Sequence, residues 1–270
     1  MGFSRFLVLA LVLAARPVVG HEFWIDPTDY TVAPGAPLVA DLRNGEAFEG
    51  MALARIDNRF TRFEIVFDGQ ARAAEGRMGD RPALQITVPE RPGLLVILHE
   101  TTPSTLTYRD WEKFLKFAKH KNFTKAAAAH DAAGWPREGF RESYTRHAKA
   151  LIAVGDGAGE DRAFGLATEF VALSNPYAAD PDGRMRVRLL YDGAPRADAQ
   201  VEVFDRAPDG AVSVRLTRTD AAGEAVIDIT PGHDYLLDAV VLRPAADAGT
   251  SDHAPVWETL WAALSFAVPE

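Results

Sequence analysis

Hydrophobic and polar residues alternate with a period of two along much of the chain, which is the pattern of half-buried strands. Between residues 30 and 100, short apolar segments are separated by turn residues, and the alternating segment 62–67 ends at an Asp68-Gly69 hairpin signal. The continuous apolar run 94–98 follows a Pro-Gly turn and predicts a central strand that is buried on both faces. These patterns predict a β-sandwich of immunoglobulin-like topology over residues 21–106.

After Thr107, the apolar residues recur with the spacing of an α-helix. From Trp111 to Ala118, apolar residues recur at i, i+3, i+4 and i+7, and Thr107 with Asp110 has the spacing of a capping box. The other face of this helix carries lysines, which we interpret as a solvated face rather than as a membrane or partner surface: Lys113, Lys116, Lys119 and Lys121.

A second helix is predicted from about Glu138 to Ala153, where apolar residues again share one face and Gly155 supplies the stop. The alanine-rich stretch between the two helices is broken by Gly134 and Pro136, and we interpret it as a loose connection. Residues 107–155 therefore form a predicted helical insertion.

Period two returns in the last third of the chain. The segment 185–191 alternates and ends at Asp192-Gly193, which is a turn signal, and further alternating segments follow it. Strands of this length and spacing predict a second antiparallel sandwich over residues 156–270. The fold class predicted for the whole chain is mainly β, with two antiparallel β-sandwich domains and the helical insertion between them.

The first twenty residues have the composition of a secretory signal peptide. Arg5 provides the positive region, residues 6–15 are apolar, and small residues precede a cut between Gly20 and His21. The apolar run has only about half of the ~20 residues that a membrane-spanning helix needs. We therefore predict a cleaved signal and a periplasmic or secreted protein, with a cut before Arg16 as the alternative.

Charge narrows the range of partners. Removal of residues 1–20 takes away two arginines and changes the formal net charge from −9 to −11. Nucleic acid and anionic lipid are bound through basic patches, so neither is expected as a partner. No other segment approaches the length of a bilayer span, so no membrane-spanning segment is predicted in the mature chain.

The chain contains no cysteine, so burial of the core must stabilise a protein that is predicted to be exported. Thiolate is thereby excluded as a metal ligand. A site built from imidazole, carboxylate, amine or thioether favours copper, nickel, cobalt or zinc with nitrogen ligands.

Three residues are the candidate metal ligands. After cleavage, His21 would carry a free amine and an imidazole on one residue, which is a chelating pair; a disordered terminal histidine is the alternative. His99 follows the predicted buried strand and so emerges from a rigid element, and Glu100 beside it offers an oxygen ligand or an outer-shell acceptor. The alternative for His99 is a strand-end histidine that is hydrogen-bonded to the backbone.

The remaining histidines are expected to be structural or solvated. His147 lies on the apolar stripe of the predicted second helix, so a core or interface position is expected. His233 with Asp234 is an extra ligand candidate because it lies in a turn. Four histidines have no metal-site spacing and are expected at the surface: His120, His130, His233 and His253.

Several segments resemble known families. YDGAPRADAQVEVF followed by RTDAAGEAVIDITPGHDYLL is similar to the prealbumin-like sandwich of carboxypeptidase regulatory domains. HEFWIDP, RESYTRHAKALIAVGDG, GLATEFVALSNPY, LLYDGAP and WETLWAALSFAV resemble, in this order, a family of uncharacterised periplasmic proteins that is commonly labelled as a periplasmic component of cobalt or nickel uptake. The resemblance covers essentially the whole mature chain, implies an exported sandwich protein and brings no catalytic residue set.

The favoured hypothesis is an exported, non-catalytic protein that binds a divalent transition metal (nickel, cobalt or copper) and supports its uptake or handling, with a metal transporter or another envelope protein as partner. The rival hypothesis is an interaction or accessory module that binds an envelope protein or a glycan. The sequence has no cysteine nucleophile, GxSxG elbow or HExxH motif. One enzymatic alternative is a copper brace of His21 and a second imidazole, as in oxidative polysaccharide-cleaving enzymes.

Overall fold

The computed structural model describes residues 21–178 and 183–270, so the predicted signal peptide lies outside the described residues. Within these ranges the protein is mainly β, as predicted. It has two α-helices, α1 (Trp111–His120) and α2 (Ala126–Ala132), and a short 3-10 turn at Asp57–Arg59. Neither helix has the length and apolar character that a bilayer-spanning segment requires.

The strands that precede the helices are β1 (Glu22–Pro27), β2 (Thr31–Val32), β3 (Pro37–Glu46), β4 (Glu49–Leu53), β5 (Phe60–Phe67), β6 (Gln70–Ala73), β7 (Leu84–Thr87), β8 (Gly93–Thr101) and β9 (Ser104–Tyr108). The strands that follow the helices are β10 (Phe140–Val154), β11 (Thr168–Ala172), β12 (Arg184–Tyr191), β13 (Ala194–Pro195), β14 (Gln200–Arg206), β15 (Val212–Arg218), β16 (Glu224–Asp228), β17 (Asp234–Pro244) and β18 (Trp257–Ala267).

These strands form three sheets. The central sheet has the order β15-β14-β17-β18-β10-β8-β5-β6, and β2 and β9 also pair with β10. One smaller sheet contains β1, β3, β4 and β7, and the other contains β11, β12, β13 and β16. Pairing is antiparallel except where β10 runs parallel to β18 and to β2.

The sheets stack as three layers. The β1 sheet packs on one face of the central sheet through a core that includes Trp24 and Ile25 from β1 and Ile97 from β8. The β12 sheet packs on the opposite face through a second core that includes Phe170 and Val187. Side chains alternate between the faces of a strand, so the central sheet can serve both cores at once.

The prediction of a second helix from Glu138 to Ala153 is wrong, because Phe140–Val154 form strand β10. Every residue from 147 to 154 is buried. In such a run, helical and strand periodicity cannot be told apart from the sequence. Pairing with β18 on one side and with β8 and β9 on the other makes this segment a strand.

Strand β10 also connects the segments that were predicted as separate domains. It pairs with β8, from the predicted N-terminal sandwich, and with β18, from the predicted C-terminal sandwich. The predicted insertion therefore contributes a central strand, and its helical part is α1 and α2. The domain boundaries themselves stay a prediction.

The first helix is confirmed, with a different start. Its N-cap is Asp110, whose carboxylate accepts a hydrogen bond from the backbone N–H of Glu112 at 3.0 Å. Thr107 lies in β9, so the predicted capping box does not form. The buried face of α1, including Phe114 and Phe117, packs into an aromatic core against β18.

Helix α2 occupies the stretch that was expected to be a loose connection, and it buries His130, which is 0% exposed. The surface position predicted for His130 is therefore wrong. Its Nε2–H donates to the carbonyl oxygen of Pro136 at 3.0 Å, and its Nδ1 accepts from the indole N–H of Trp257 at 3.0 Å. The rings of Trp111 and Phe140 lie 4.6 and 4.7 Å from the imidazole. The alanines favour a helix without marking a buried face, so the sequence carried no signal for this burial.

We expect His130→Phe to preserve ring packing and to lower the free energy of unfolding by about 2 kcal/mol at pH 8, because a buried indole N–H and a carbonyl lose their partners. Burial lowers the pKa of His130 below its ordinary value of 6.5. The unfolded chain therefore takes up a proton first as the pH falls, which destabilises the wild type but not the variant. Denaturant unfolding from pH 8 to pH 5 should show the difference between the two proteins becoming smaller.

His253→Phe is the matched control, because His253 is exposed. It should leave the free energy of unfolding within about 0.5 kcal/mol of the wild type. A constant difference between wild type and His130→Phe across this pH range would contradict a buried, neutral His130.

Candidate functional site

His21 lies beside the hairpin that connects β3 and β4. The register of β1 on β3 pairs Glu22 with Gly45, which brings His21 opposite Glu46. The Nε2 atom of His21 is 3.8 Å from Oε1 of Glu46, and the imidazole side chain is 49% exposed. Glu46 in turn pairs with Glu49 across the hairpin backbone. An accessible imidazole therefore lies next to a carboxylate, a partner that sequence reasoning missed because strand register decides it.

His99 lies in the interior instead of at an open strand end. It is 2% exposed. Three phenylalanine rings surround it, with centroids at 5.2 Å for Phe23, 5.4 Å for Phe60 and 5.1 Å for Phe63. Neither ring nitrogen has a hydrogen-bond partner. Burial, with a further contribution from the charge of Arg55, lowers the pKa of His99 to about 3, so the imidazole is neutral at physiological pH.

Glu100 projects from the other face of β8, because neighbouring residues of a strand alternate. Its Oε1 lies 3.8 Å from Nε2 of His147. His147 is in the core, as predicted, although it lies on a strand; its Nδ1–H donates to the Trp261 carbonyl at 3.2 Å. Burial lowers the pKa of His147 to about 4, and the hydrogen bond to Trp261 opposes this effect.

The three predicted ligands do not form one cluster. Throughout the described ranges, one group of three or more side chains has metal-ligand atoms within 4.8 Å of one another, and it consists of Glu22, Glu202 and Asp238. His21, His99 and Glu100 therefore stay separate predictions as ligands.

The three acids of this buried cluster already share a cation. The Nζ atom of Lys121 lies 3.7 Å from Glu22, 3.0 Å from Glu202 and 2.9 Å from Asp238. The ammonium also lies 4.8 Å from the ring centroid of Trp261. Lys121 is 5% exposed, so its assignment to the solvated face of α1 is wrong. It follows the last residue of the helix, where the chain turns inward, and so does not continue the lysine stripe.

The protonation of the cluster follows from its burial. Burial and the neighbouring charge of Asp238 raise the pKa of Glu22 to about 7, and burial also raises the pKa of Asp238. Burial opposes the charged form of Lys121, but the surrounding carboxylates raise its pKa overall. The ammonium occupies the position that a metal ion would take, so we interpret the cluster as structural.

The other histidines have ordinary partners. His120 is exposed, as expected, and its Nε2 lies 3.1 Å from Glu202, which raises the pKa of His120. His233 meets Asp205 at 2.6 Å. Asp234, the partner proposed from the sequence, contacts Arg206 instead at 2.9 Å.

Three layered sheets define the class of this protein as a β-sandwich protein. Residues 18–243 match the family described as a domain of unknown function (DUF4198), and the chain belongs to this family. The expected membership of an uncharacterised family is therefore confirmed, whereas the cobalt or nickel label stays a prediction.

A search of curated proteins finds no match. Among solved structures, a tetra-tandem repeat in the extending region of a large adhesion protein matches with 11% identity and a TM-score of 0.23, covering 92% of this chain and 49% of that one. The D0-D1 domain of intimin matches with 15% identity and a TM-score of 0.20, covering 92% of this chain and 100% of that one. The chain thus spans about half the length of the first structure, and the fold assignment rests on the sheet topology.

We expect Lys121→Met to lower the free energy of unfolding by about 3–5 kcal/mol at pH 7.5, because three buried carboxylates lose their cation. Protonation of these carboxylates relieves their repulsion, so the loss should shrink at pH 5. Urea unfolding at both pH values measures the effect.

Lys113→Met, on the exposed face of the same helix, is the matched control and should change stability by no more than about 0.5 kcal/mol. A loss for Lys121→Met that increases on acidification would show that Lys121 does not neutralise the cluster.

Proposed function

We propose that the exported protein binds a divalent transition metal (nickel, cobalt or copper) at His21 and supports its uptake or handling. The observation that carries the proposal is the position of the exposed His21 imidazole, 3.8 Å from the carboxylate of Glu46. A chelating residue beside an oxygen donor is suited to a metal that must enter and leave.

The proposed ligands follow from the chemistry of the terminus. A cut before His21 leaves an α-amine, whose ordinary pKa is about 8, on the same residue as the imidazole. A metal ion displaces the ammonium proton and closes a chelate ring through both nitrogens. Glu46 would add an oxygen, and a set of two nitrogens and one oxygen suits nickel, cobalt and copper.

Accessibility and charge support exchange at this position. The mature chain has a predicted formal net charge of −11, and a negative field raises the local concentration of cations. Lys121 already neutralises the buried acidic cluster, so a metal bound there would have to displace an ammonium ion with three partners. His99 and Glu100 stay predicted ligands, on opposite faces of β8.

The proposed location is the periplasm or the exterior of the cell, and the proposed partner is a metal transporter or another envelope protein. A copper-brace enzyme would need a second imidazole at His21. The His21 imidazole instead lies beside the carboxylate of Glu46, at 3.8 Å. We therefore propose a non-catalytic role.

A second candidate function is an interaction module for an envelope protein or a glycan. One observation favours it: β15 is an edge strand of the central sheet and exposes Val214 and Leu216, which are 51% and 61% exposed. Edge strands with apolar side chains are prone to pair with another chain. This function does not require a metal at His21, so metal titration separates the two candidates.

Calorimetric titration of the exported protein with nickel, cobalt and copper ions tests the metal proposal. We expect one site per chain with a dissociation constant well below about 1 mM for at least one of the three metals. His21→Ala should weaken binding by about tenfold or more, and Glu46→Gln by a smaller factor, because an amine and an imidazole contribute more to these metals than one carboxylate.

The matched control is His253→Ala, which removes another exposed imidazole and should leave the affinity unchanged. A variant with one alanine inserted before His21 moves the amine off the histidine and changes the chelate, so its affinity should differ from that of the wild type. Unchanged affinity in this insertion variant, or no binding tighter than about 1 mM for any of the metals, would contradict the proposal.

A further inference from the structure

A pocket of about 330 Å³ opens between the β1 sheet and the central sheet. Its apolar wall includes Phe23, Leu42 and Phe60, and His99 and Arg146 also line it. This size is at the lower end of the range for small-molecule sites, which combine apolar walls with a few polar groups. The pocket therefore has the dimensions and composition of a ligand site.

The charge of the pocket is one-sided. Three arginines line it, Arg59, Arg81 and Arg146, and no aspartate or glutamate does. Over residues 21–178 and 183–270, no ion pair within 4.0 Å involves any of these three guanidinium groups. The whole chain carries 38 acidic and 29 basic side chains. The charged side chains of the pocket are thus all positive, whereas the formal net charge of the whole chain is negative.

Arg146 makes no ion pair within 4.0 Å in the described residues, although the charges of Asp238, Glu142 and Glu22 act on it from farther away. Its guanidinium lies 3.9 Å from the ring centroid of Trp261 and 5.3 Å from that of Tyr144. Stacking of this kind orients the planar group. Its backbone N–H donates to Oγ1 of Thr101 at 3.0 Å, which also fixes the strand beside the pocket. The Nη1 atom is buried and has no hydrogen-bond partner in the described residues, so it is an unsatisfied donor beside the pocket.

His99 has unused hydrogen-bonding groups in the same pocket. The side chain is 98% buried, and both of its ring nitrogens lack a partner. Buried polar groups are nearly always hydrogen-bonded, and leaving one unmatched is destabilising. A neutral imidazole has one N–H donor and one acceptor, so a polar ligand atom at the pocket floor would satisfy it.

The arginines also determine whether the pocket favours a cationic or an anionic ligand. A divalent cation next to His99 would be repelled by Arg146 within the pocket. The buried Arg55, whose guanidinium lies 5.3 Å from the ring centroids of both Phe60 and Phe63, adds less to this repulsion because it is paired with Asp57 at 2.8 Å. An anion would be attracted by the same groups, and a carboxylate matches the fork of a guanidinium.

We propose that this pocket binds a small organic carboxylate with an apolar body, held by Arg146 at its carboxylate, by Phe23 and Phe60 at its apolar part, and by a hydrogen bond with His99. This inference goes beyond the proposed metal function and does not depend on it, since neither His21 nor Glu46 lines the pocket.

The test is calorimetric titration of the purified exported protein with 4-methylbenzoate in metal-free buffer. We expect saturable binding to one site per chain. The uncharged analogue 4-methylbenzyl alcohol should bind about tenfold or more weakly, because it lacks the charge-assisted hydrogen bond. Acetate, which has the charge without the apolar body, should also bind more weakly.

Two variants locate the site. Arg146→Met keeps an apolar stem against Trp261 and should weaken 4-methylbenzoate binding by about tenfold or more. Arg59→Ala changes an exposed residue at the pocket and should weaken it by about threefold without affecting the fold. Arg72→Met, an exposed arginine on β6 away from the pocket, is the matched control and should bind as the wild type does.

The proposal is overturned if 4-methylbenzoate does not bind saturably, if its uncharged analogue binds equally well, or if neither Arg146→Met nor Arg59→Ala weakens binding. Should Arg146→Met fail to fold, Arg59→Ala and the analogue pair still decide the question. His21→Ala should retain full carboxylate binding, so loss of metal binding and loss of carboxylate binding are distinguishable.

Discussion

The backbone pairing of β10 is the constraint on which the rest of the structure depends. A buried strand must satisfy its N–H and C=O groups within the protein. Strand β10 does so by pairing with β18 on one side and with β8 and β9 on the other. The same pairing decides which side chains meet. Because neighbouring residues face opposite ways, Arg146 reaches the face that holds His99, whereas His147 reaches the face that holds Glu100.

The ring of Trp261 lies next to two positively charged side chains, Lys121 and Arg146, whose surroundings differ. Lys121 lies 4.8 Å and Arg146 3.9 Å from its ring centroid. Three carboxylates surround the lysine within 3.7 Å. In the described residues no carboxylate lies that close to the arginine, whose Nη1 is buried and has no hydrogen-bond partner, although Asp238, Glu142 and Glu22 act on its charge from farther away. A buried charge is tolerated when it is matched. The lysine therefore belongs to the architecture, and the unsatisfied donor of the arginine points to a ligand outside the chain.

The candidate sites are separated by charge. The exposed His21 and the carboxylate of Glu46 suit a cation, whereas the pocket beside His99 suits an anion. The sequence predicts His99 as a second metal ligand because it follows a rigid strand. Its burial among phenylalanine rings and near arginines instead favours a neutral imidazole that exchanges hydrogen bonds with an uncharged or anionic group. The register of β1 on β3 places His21 beside Glu46 of the β3–β4 hairpin instead of beside His99.

Alternation, turn residues and helical spacing are properties of neighbouring residues, so they predict the mainly β class, the first helix and strands over residues 62–67 and 94–98, which lie within the observed strands Phe60–Phe67 and Gly93–Thr101. Contacts between distant segments make Phe140–Val154 a strand, bury His130 and turn Lys121 inward. These outcomes depend on partners far along the chain: Lys121 meets Asp238, 117 positions away, and His130 meets Trp257, 127 positions away. Burial and charge pairing at such separations are set by which strands lie side by side, and no local pattern carries that information.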